Sequence, residues 1–185
     1  MISAALETCP RCRRIPSLVD GARSAGLYEG SLREIIHAFK YEGRRGLAAP
    51  LAGLMRTAGA PILAGADAVV PVPLHPWRRI RRGFNQADDL ARRLGTPVTR
   101  ALWRVRATVP QTGLTSAARR RNLRKAFVVS PLVSGPIANR IFVLVDDVRT
   151  TGATLEACAG ALKGAGAKEV RALTVANRVR AGRAA

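Results

Sequence analysis

Residues 141–154 read Ile141-Phe142-Val143-Leu144-Val145-Asp146-Asp147-Val148-Arg149-Thr150-Thr151-Gly152-Ala153-Thr154. The five apolar residues that open the stretch show no polar alternation, which predicts a strand over 141–145 covered on both faces. Two adjacent carboxylates follow its end, then hydroxyl residues and a glycine. Leu155, Cys158 and Leu162 then fall on one face of a helix, which Gly164-Ala165-Gly166 brings to a stop. Val170 to Val175 reads as the next strand. Strand, helix and strand at this spacing make a βαβ unit, and such units pair in parallel. The predicted fold class is α/β, with a central, mostly parallel sheet flanked by helices.

The same stretch predicts a binding edge. Ligands of open α/β sheets sit at the carboxyl ends of the strands. Backbone N–H groups at a helix N-terminus, with Thr hydroxyls beside them, cradle a phosphate, and Gly152 permits close approach or an unusual φ. A carboxylate pair next to such a cradle suits a sugar phosphate: ribose hydroxyls would donate to Asp146 and Asp147 while residues 149–154 hold the 5′-phosphate. Acids beside a polyphosphate also imply a bridging Mg²⁺. A solvated, Asp-capped turn would explain a lone acidic pair. The ordered succession of strand, acids, hydroxyls, glycine and helix outweighs that reading.

Working outward, Leu32, Ile35, Ile36 and Phe39 give residues 31–42 an amphipathic helical face that Gly43 closes, and a second helix is predicted over 46–58, ending near Gly59 and Pro61. Residues 67–73 read as a buried strand with prolines at its exit, followed by a basic loop from Trp77 to Gly83. Phe84, Ala87, Leu90, Ala91 and Leu94 have helical spacing, with Asn85 and Gln86 at the start of that helix. Asp88 and Asp89 lie inside it, about 100° apart, and read as surface charge rather than a paired site. Residues 96–125 read mostly as loop, and Phe127–Val129 as a short strand. Residues 1–28 read as polar and turn-rich, and Cys158 as a core residue.

The chain has 185 residues and a net charge of +19, and between Leu90 and Val145 it carries eleven cations and no acid. Such a field attracts nucleic acids, nucleotides and phosphosugars, although an Arg- and Ala-rich composition alone also produces it. Three Cys and two His exclude a four-Cys zinc site and restrict Ser-His-Asp chemistry. No apolar run nears the roughly 18 residues of a membrane span. No signal peptide is legible, so a cytoplasmic location is expected.

The segment 143–154 resembles the phosphoribosyl-pyrophosphate (PRPP) motif of type I phosphoribosyltransferases. Lys40-Tyr41-Glu42-Gly43, Val70-Pro71-Val72-Pro73-Leu74-His75, Arg82-Gly83-Phe84-Asn85-Gln86, Pro110-Gln111-Thr112-Gly113-Leu114 and Arg119-Arg120-Arg121-Asn122 with Ala126-Phe127 resemble, in order, the blocks of the ComF/GntX family. The resemblance covers residues 27–177. It implies a type I phosphoribosyltransferase-like fold over 29–178, followed by a basic tail at 179–185. It implies PRPP binding, with Mg, by Asp146, Asp147, Val148, Arg149, Thr150, Thr151, Gly152, Ala153 and Thr154. Arg82, Gly83, Asn85, Gln86, Gln111, Arg121, Asn122 and Lys40 would then face the pyrophosphate and substrate side, with 111–125 as a closing hood. The implied role is in DNA uptake and transformation, with competence proteins as partners, and the acid-free stretch 90–145 adds an expected affinity for single-stranded DNA. Two readings of the activity stand: transfer of phosphoribose to a nitrogen acceptor, or a non-catalytic nucleic-acid-binding or nucleotide-sensing accessory. Family members begin with a zinc-ribbon-like segment bearing two Cys-x-x-Cys pairs. Here only Cys9 and Cys12 stand in residues 1–28, a remnant and at most half a zinc site.

Overall fold

The computed structural model describes residues 17–74, 80, 82–105, 126–133 and 135–178. In chain order the elements are β1 (Gly21–Leu27), α1 (Gly30–Tyr41), a 3-10 turn (Arg45–Leu47), α2 (Ala48–Leu63), β2 (Ala68–Pro71), α3 (Gln86–Ala91), β3 (Leu102–Arg104), β4 (Phe127–Val129), β5 (Ile141–Arg149), α4 (Ala153–Gly164) and β6 (Glu169–Asn177). Four strands form one sheet in the order β1-β6-β5-β2, every pair parallel, and β3 and β4 form a separate antiparallel ribbon. No helix among the described residues is long and apolar enough to cross a membrane.

The sheet is buried on both faces because its strands alternate between two apolar layers. Phe142 and Leu144 of β5, with Val70 and Ala172, pack on Leu155, Cys158 and Leu162 of α4 and on Leu102 and Phe127 of the ribbon. Val143 and Val145, with Val69 and Leu173, pack on Ile36 and Phe39 of α1, Leu51 and Met55 of α2 and Leu90 of α3. Parallel strands placed between helices in this way direct all their carboxyl ends to one edge, which is the edge that carries the polar motif.

Four elements depart from the sequence reading. Strand β1 lies in the stretch read as turn-rich; apart from Arg23 and Leu27 its residues are small, and pairing with β6 supplies the order they do not specify. The short β3 arises inside the basic stretch read as loop. Strand β5 runs four residues past Val145, because β6 stays paired with it up to Arg149↔Asn177. Helix α2 continues through Gly59 and Pro61 to Leu63. Gly59 is a contact point rather than a terminator: a Cβ there would stand 2.6 Å from both Leu173 methyls, in the buried layer against β6.

This predicts opposite outcomes for two glycines of one helix. Gly59→Val overpacks against Leu173 and lowers unfolding stability by roughly 1–3 kcal/mol. Gly53→Ala, which meets nothing within 4 Å, raises it by about 0.5–1 kcal/mol through helix propensity. Urea unfolding of both variants checks the contrast.

Candidate functional site

Strand β2 stops at Pro71, opposite Val145, and its last bond to β5 is Val72 N–H to the Val145 carbonyl at 2.9 Å. Beyond that point β5 continues with β6 as its remaining partner. Asp146 and Asp147 lie in this half-open end of the strand, not past it as the sequence suggested. Successive side chains of a strand point to opposite faces, so the two carboxylates diverge.

Asp147 belongs to the face of α1. It is buried, and its Oδ1 lies 2.7 Å from Lys40 Nζ in the last turn of that helix, with both side chains largely covered. Asp146 belongs to the face of α4 and the ribbon. Its Oδ1 accepts the Asp147 N–H at 2.8 Å. Burial pushes the Asp146 carboxyl up to about 7, and the Asp147 charge adds to the rise; the Asp147 N–H, Lys40 and Arg104 oppose it. Burial and the Asp146 charge likewise push the Cys158 thiol well up. This cysteine is fully buried in the core, as its apolar helix face predicts.

After Val148 and Arg149 the chain turns through the exposed Thr150 and Thr151 to Gly152, whose φ of 76° lies in the left-handed region. Gly152 is the N-cap of α4, with Ala153 and Thr154 as its first residues, and Thr151 Oγ1 accepts the Ala153 N–H at 3.4 Å. Glycine is required at this position because a Cβ disfavours that φ.

The block at 82–86 returns to the same edge. Asn85 Oδ1 accepts the Ala87 N–H at 3.2 Å, which caps α3, while its Nδ2 donates to the Val72 carbonyl at 3.1 Å, where β2 ends. Gly83 has φ 73°. The Arg82 guanidinium stands 4.8 Å over the Tyr41 ring and donates to Gln86 Oε1 at 3.1 Å. Gln86 is buried, and its Nε2 has no hydrogen-bond partner among the described residues.

Asp88 and Asp89 are not the surface charge that sequence suggested. Asp89 is buried and takes two 2.8 Å bonds from the Arg45 guanidinium, while Asp88 meets Arg92 and Arg100. The pairing Arg45 precedes α2 and is remote in sequence, so helical spacing alone could not disclose it. Thus Lys40, Arg82, Gly83, Asn85 and Gln86 gather around the end of β5 with residues 146–154. Gln111, Arg121, Asn122, Cys9 and Cys12 lie outside the described residues. His37 is exposed beside Tyr41 and Glu42, and no group of three His, Cys, Asp or Glu among the described residues could hold a metal ion.

The family described as "Phosphoribosyl transferase domain" matches residues 80–184. The DNA utilization protein YhgH of Salmonella typhi is 36% identical over 176 residues, spanning 88% of this chain and 74% of its own length. Competence protein F of Haemophilus influenzae is 33% identical over 175 residues, spanning 89% and 76%. Among solved structures, the allosteric regulatory enzyme of purine biosynthesis aligns with 76% of this chain and 30% of its own, with 21% identity and a TM-score of 0.47.

The raised Asp146 carboxyl gives a pH signature. An unfolded Asp titrates near 3.9, so between about pH 4 and 7 the native state holds a proton that the unfolded state lacks. Stability from this group is therefore greatest below pH 4 and falls as pH rises through 7. Asp146→Asn should melt higher than the wild type at pH 8, and the gap should close toward pH 4. Thermal melts across that range check it; a gap independent of pH contradicts the assignment.

Proposed function

The chain belongs to the ComF-type family of phosphoribosyltransferase-domain proteins, and from that premise we propose that the carboxyl end of its sheet binds PRPP with Mg²⁺. The observation that carries this reading is the sequence of groups along one edge: two carboxylates on β5, the left-handed Gly152, and the open N-terminus of α4. The α4 N–H groups and the Thr150 and Thr151 hydroxyls suit the 5′-phosphate. Asp146 and Asp147 suit the ribose hydroxyls, which donate to carboxylates. Arg82 packs over Tyr41, the residue after the Lys40 that pairs with Asp147, and would neutralise pyrophosphate.

Magnesium commonly takes one or two carboxylates and completes its shell with phosphate oxygens and water. Because Asp146 and Asp147 point to opposite faces of β5, one of the two would hold the ion together with phosphate oxygens and water, and the ion would supply charge neutralisation for the pyrophosphate. The proposed reaction forms a bond from an acceptor nitrogen to ribose C1 as the C1–oxygen bond to pyrophosphate breaks. The electron pair leaves with pyrophosphate, and the acceptor N–H proton goes to solvent. The protein's share is positioning and charge stabilisation at an oxocarbenium-like transition state, with no covalent nucleophile.

Calorimetric titration of PRPP with Mg²⁺ tests the binding. Saturable binding to the wild type, weakened tenfold or more in Asp147→Asn and in Gly152→Val, is expected, with pyrophosphate release on addition of the right acceptor. Absence of binding, or binding indifferent to both substitutions, contradicts the reading.

A second reading, compatible with the first, is favoured by the eleven cations and no acid between Leu90 and Val145 and by the names of the two bacterial relatives. In it the chain handles single-stranded DNA in a competence role. Trp103, 45% exposed opposite Val128 on the ribbon, offers a stacking surface within that basic stretch. Affinity for a short single strand should fall steeply between 50 and 200 mM salt, as phosphate contacts require (about 10³-fold or more for six or more contacts). No binding at low salt contradicts it.

A further inference from the structure

Asp89 and Asp147 are both buried and both paired with a cation, but the two pairs are built differently. Asp89 takes two 2.8 Å bonds from the Arg45 guanidinium, a two-point fork that fixes both partners. Asp147 meets a single atom, Lys40 Nζ, at 2.7 Å from its Oδ1, and no other side chain among the described residues is paired with its carboxylate. A carboxylate accepts at several lone-pair sites and an ammonium carries several donors. The Lys40–Asp147 pair therefore leaves most of its bonding capacity unused.

Its position and chemistry add to the contrast. Asp147 lies two residues past Val145, whose carbonyl takes the last bond that β2 gives to β5. Both side chains keep some exposure, 15% for Lys40 and 12% for Asp147. Lys40 is in the last turn of α1, and a lysine ammonium is a compact charge on a flexible four-carbon stem. It can leave its partner by side-chain rotation, with the helix in place.

The two carboxylates of β5 are also unequal toward an arriving cation. Asp146 Oδ1 is already engaged by the Asp147 N–H at 2.8 Å. On the face of Asp147, the residue after Lys40 is Tyr41, with the Arg82 guanidinium 4.8 Å over its ring. Arg82 is in no ion pair among the described residues. A polyphosphate held by Arg82 brings its oxygens, and any divalent cation they carry, to the end of α1 that bears Lys40. One carboxylate cannot balance both an ammonium and a divalent ion at contact distance, because the two cations repel each other.

We propose that Lys40 is a displaceable counter-ion: it competes with a divalent cation for Asp147, so that the metal enters with the polyphosphate by driving the lysine off. The proposal rests on the Mg·PRPP reading for the identity of the ligand, and it makes Asp147 the carboxylate that takes the ion. The lysine then sets how strongly binding depends on metal. Without metal, Lys40 cancels a negative charge that repels the polyphosphate. With metal, it must be displaced first.

The test measures the affinity of the full chain for PRPP, and separately for pyrophosphate, in saturating Mg²⁺ and in EDTA. The ratio of the two affinities is the metal advantage. Lys40→Gln removes the competing charge and should raise the advantage roughly tenfold or more, the scale of one close charge pair. Lys40→Arg holds the carboxylate by a two-point fork and should lower it below the wild-type value. Asp147→Asn should lose most of the advantage, and Lys168→Gln, an exposed cation before β6, should leave it unchanged. A purely structural lysine would change both affinities together and leave the ratio as it is. Equal ratios in the wild type and Lys40→Gln, a ratio in Lys40→Arg at or above the wild type, or a full advantage in Asp147→Asn each overturns the proposal. Thermal melts report folding, and Lys40→Arg, which keeps the charge pair, decides alone if Lys40→Gln is unfolded. PRPP binding with unshifted ratios leaves the Mg·PRPP reading standing without the exchange. Shifted ratios for pyrophosphate with no binding of PRPP support the exchange against that reading, and no binding of either ligand overturns both.

Discussion

Two consecutive carboxylates stand near the end of a strand that is buried on both faces, and much of the surrounding structure answers that constraint. Val143, Leu144 and Val145 are wholly covered, and of the two acids that follow, Asp147 is buried and Asp146 partly covered. A buried charge is tolerated only when paired or hydrogen-bonded. Asp147 meets Lys40 at 2.7 Å, and Asp146 takes a backbone N–H and a proton affinity displaced toward neutrality. The strand thereby keeps two acids at an edge where a polar ligand can reach them.

The last turn of α1 links the pieces of that edge. Lys40 holds Asp147, and Tyr41, the next residue, lies under the Arg82 guanidinium, which in turn bonds Gln86. Just beyond, Arg45 reaches Asp89 of α3 by two bonds and stands 5.2 Å from the centre of the Phe84 ring. Helix α1 and the block at 82–91 are therefore fastened to each other as well as to the sheet. This gives the Arg82–Gln86 segment a fixed relation to the carboxylates, and catalysis by positioning needs such a relation.

The sequence disclosed the parts of this architecture that rest on strong local signals. The apolar run at 141–145, the glycine before α4 and the helical face of 31–42 are strong local signals, and the sheet and its polar edge follow from them. The parts it concealed depend on tertiary partners. Strand β1 is made mostly of small residues and exists through β6. The charges of Asp146 and Asp147 read as a strand end, yet pairing with β6 carries β5 on to Arg149, which sends the two side chains to different faces. Asp89 reads as surface charge until Arg45, 44 positions earlier, arrives beside it.

The central claim is that Lys40 and Asp147 act as one buried unit at the end of β5. A double-mutant cycle of Lys40→Met, Asp147→Asn and the pair, read by urea unfolding, tests it most directly. The account predicts that each single substitution strands a polar partner and is destabilising, and that the double variant loses less than the two single losses together, with a coupling of roughly 1–3 kcal/mol. Losses that simply add would show that the two groups do not depend on each other, and would contradict the account.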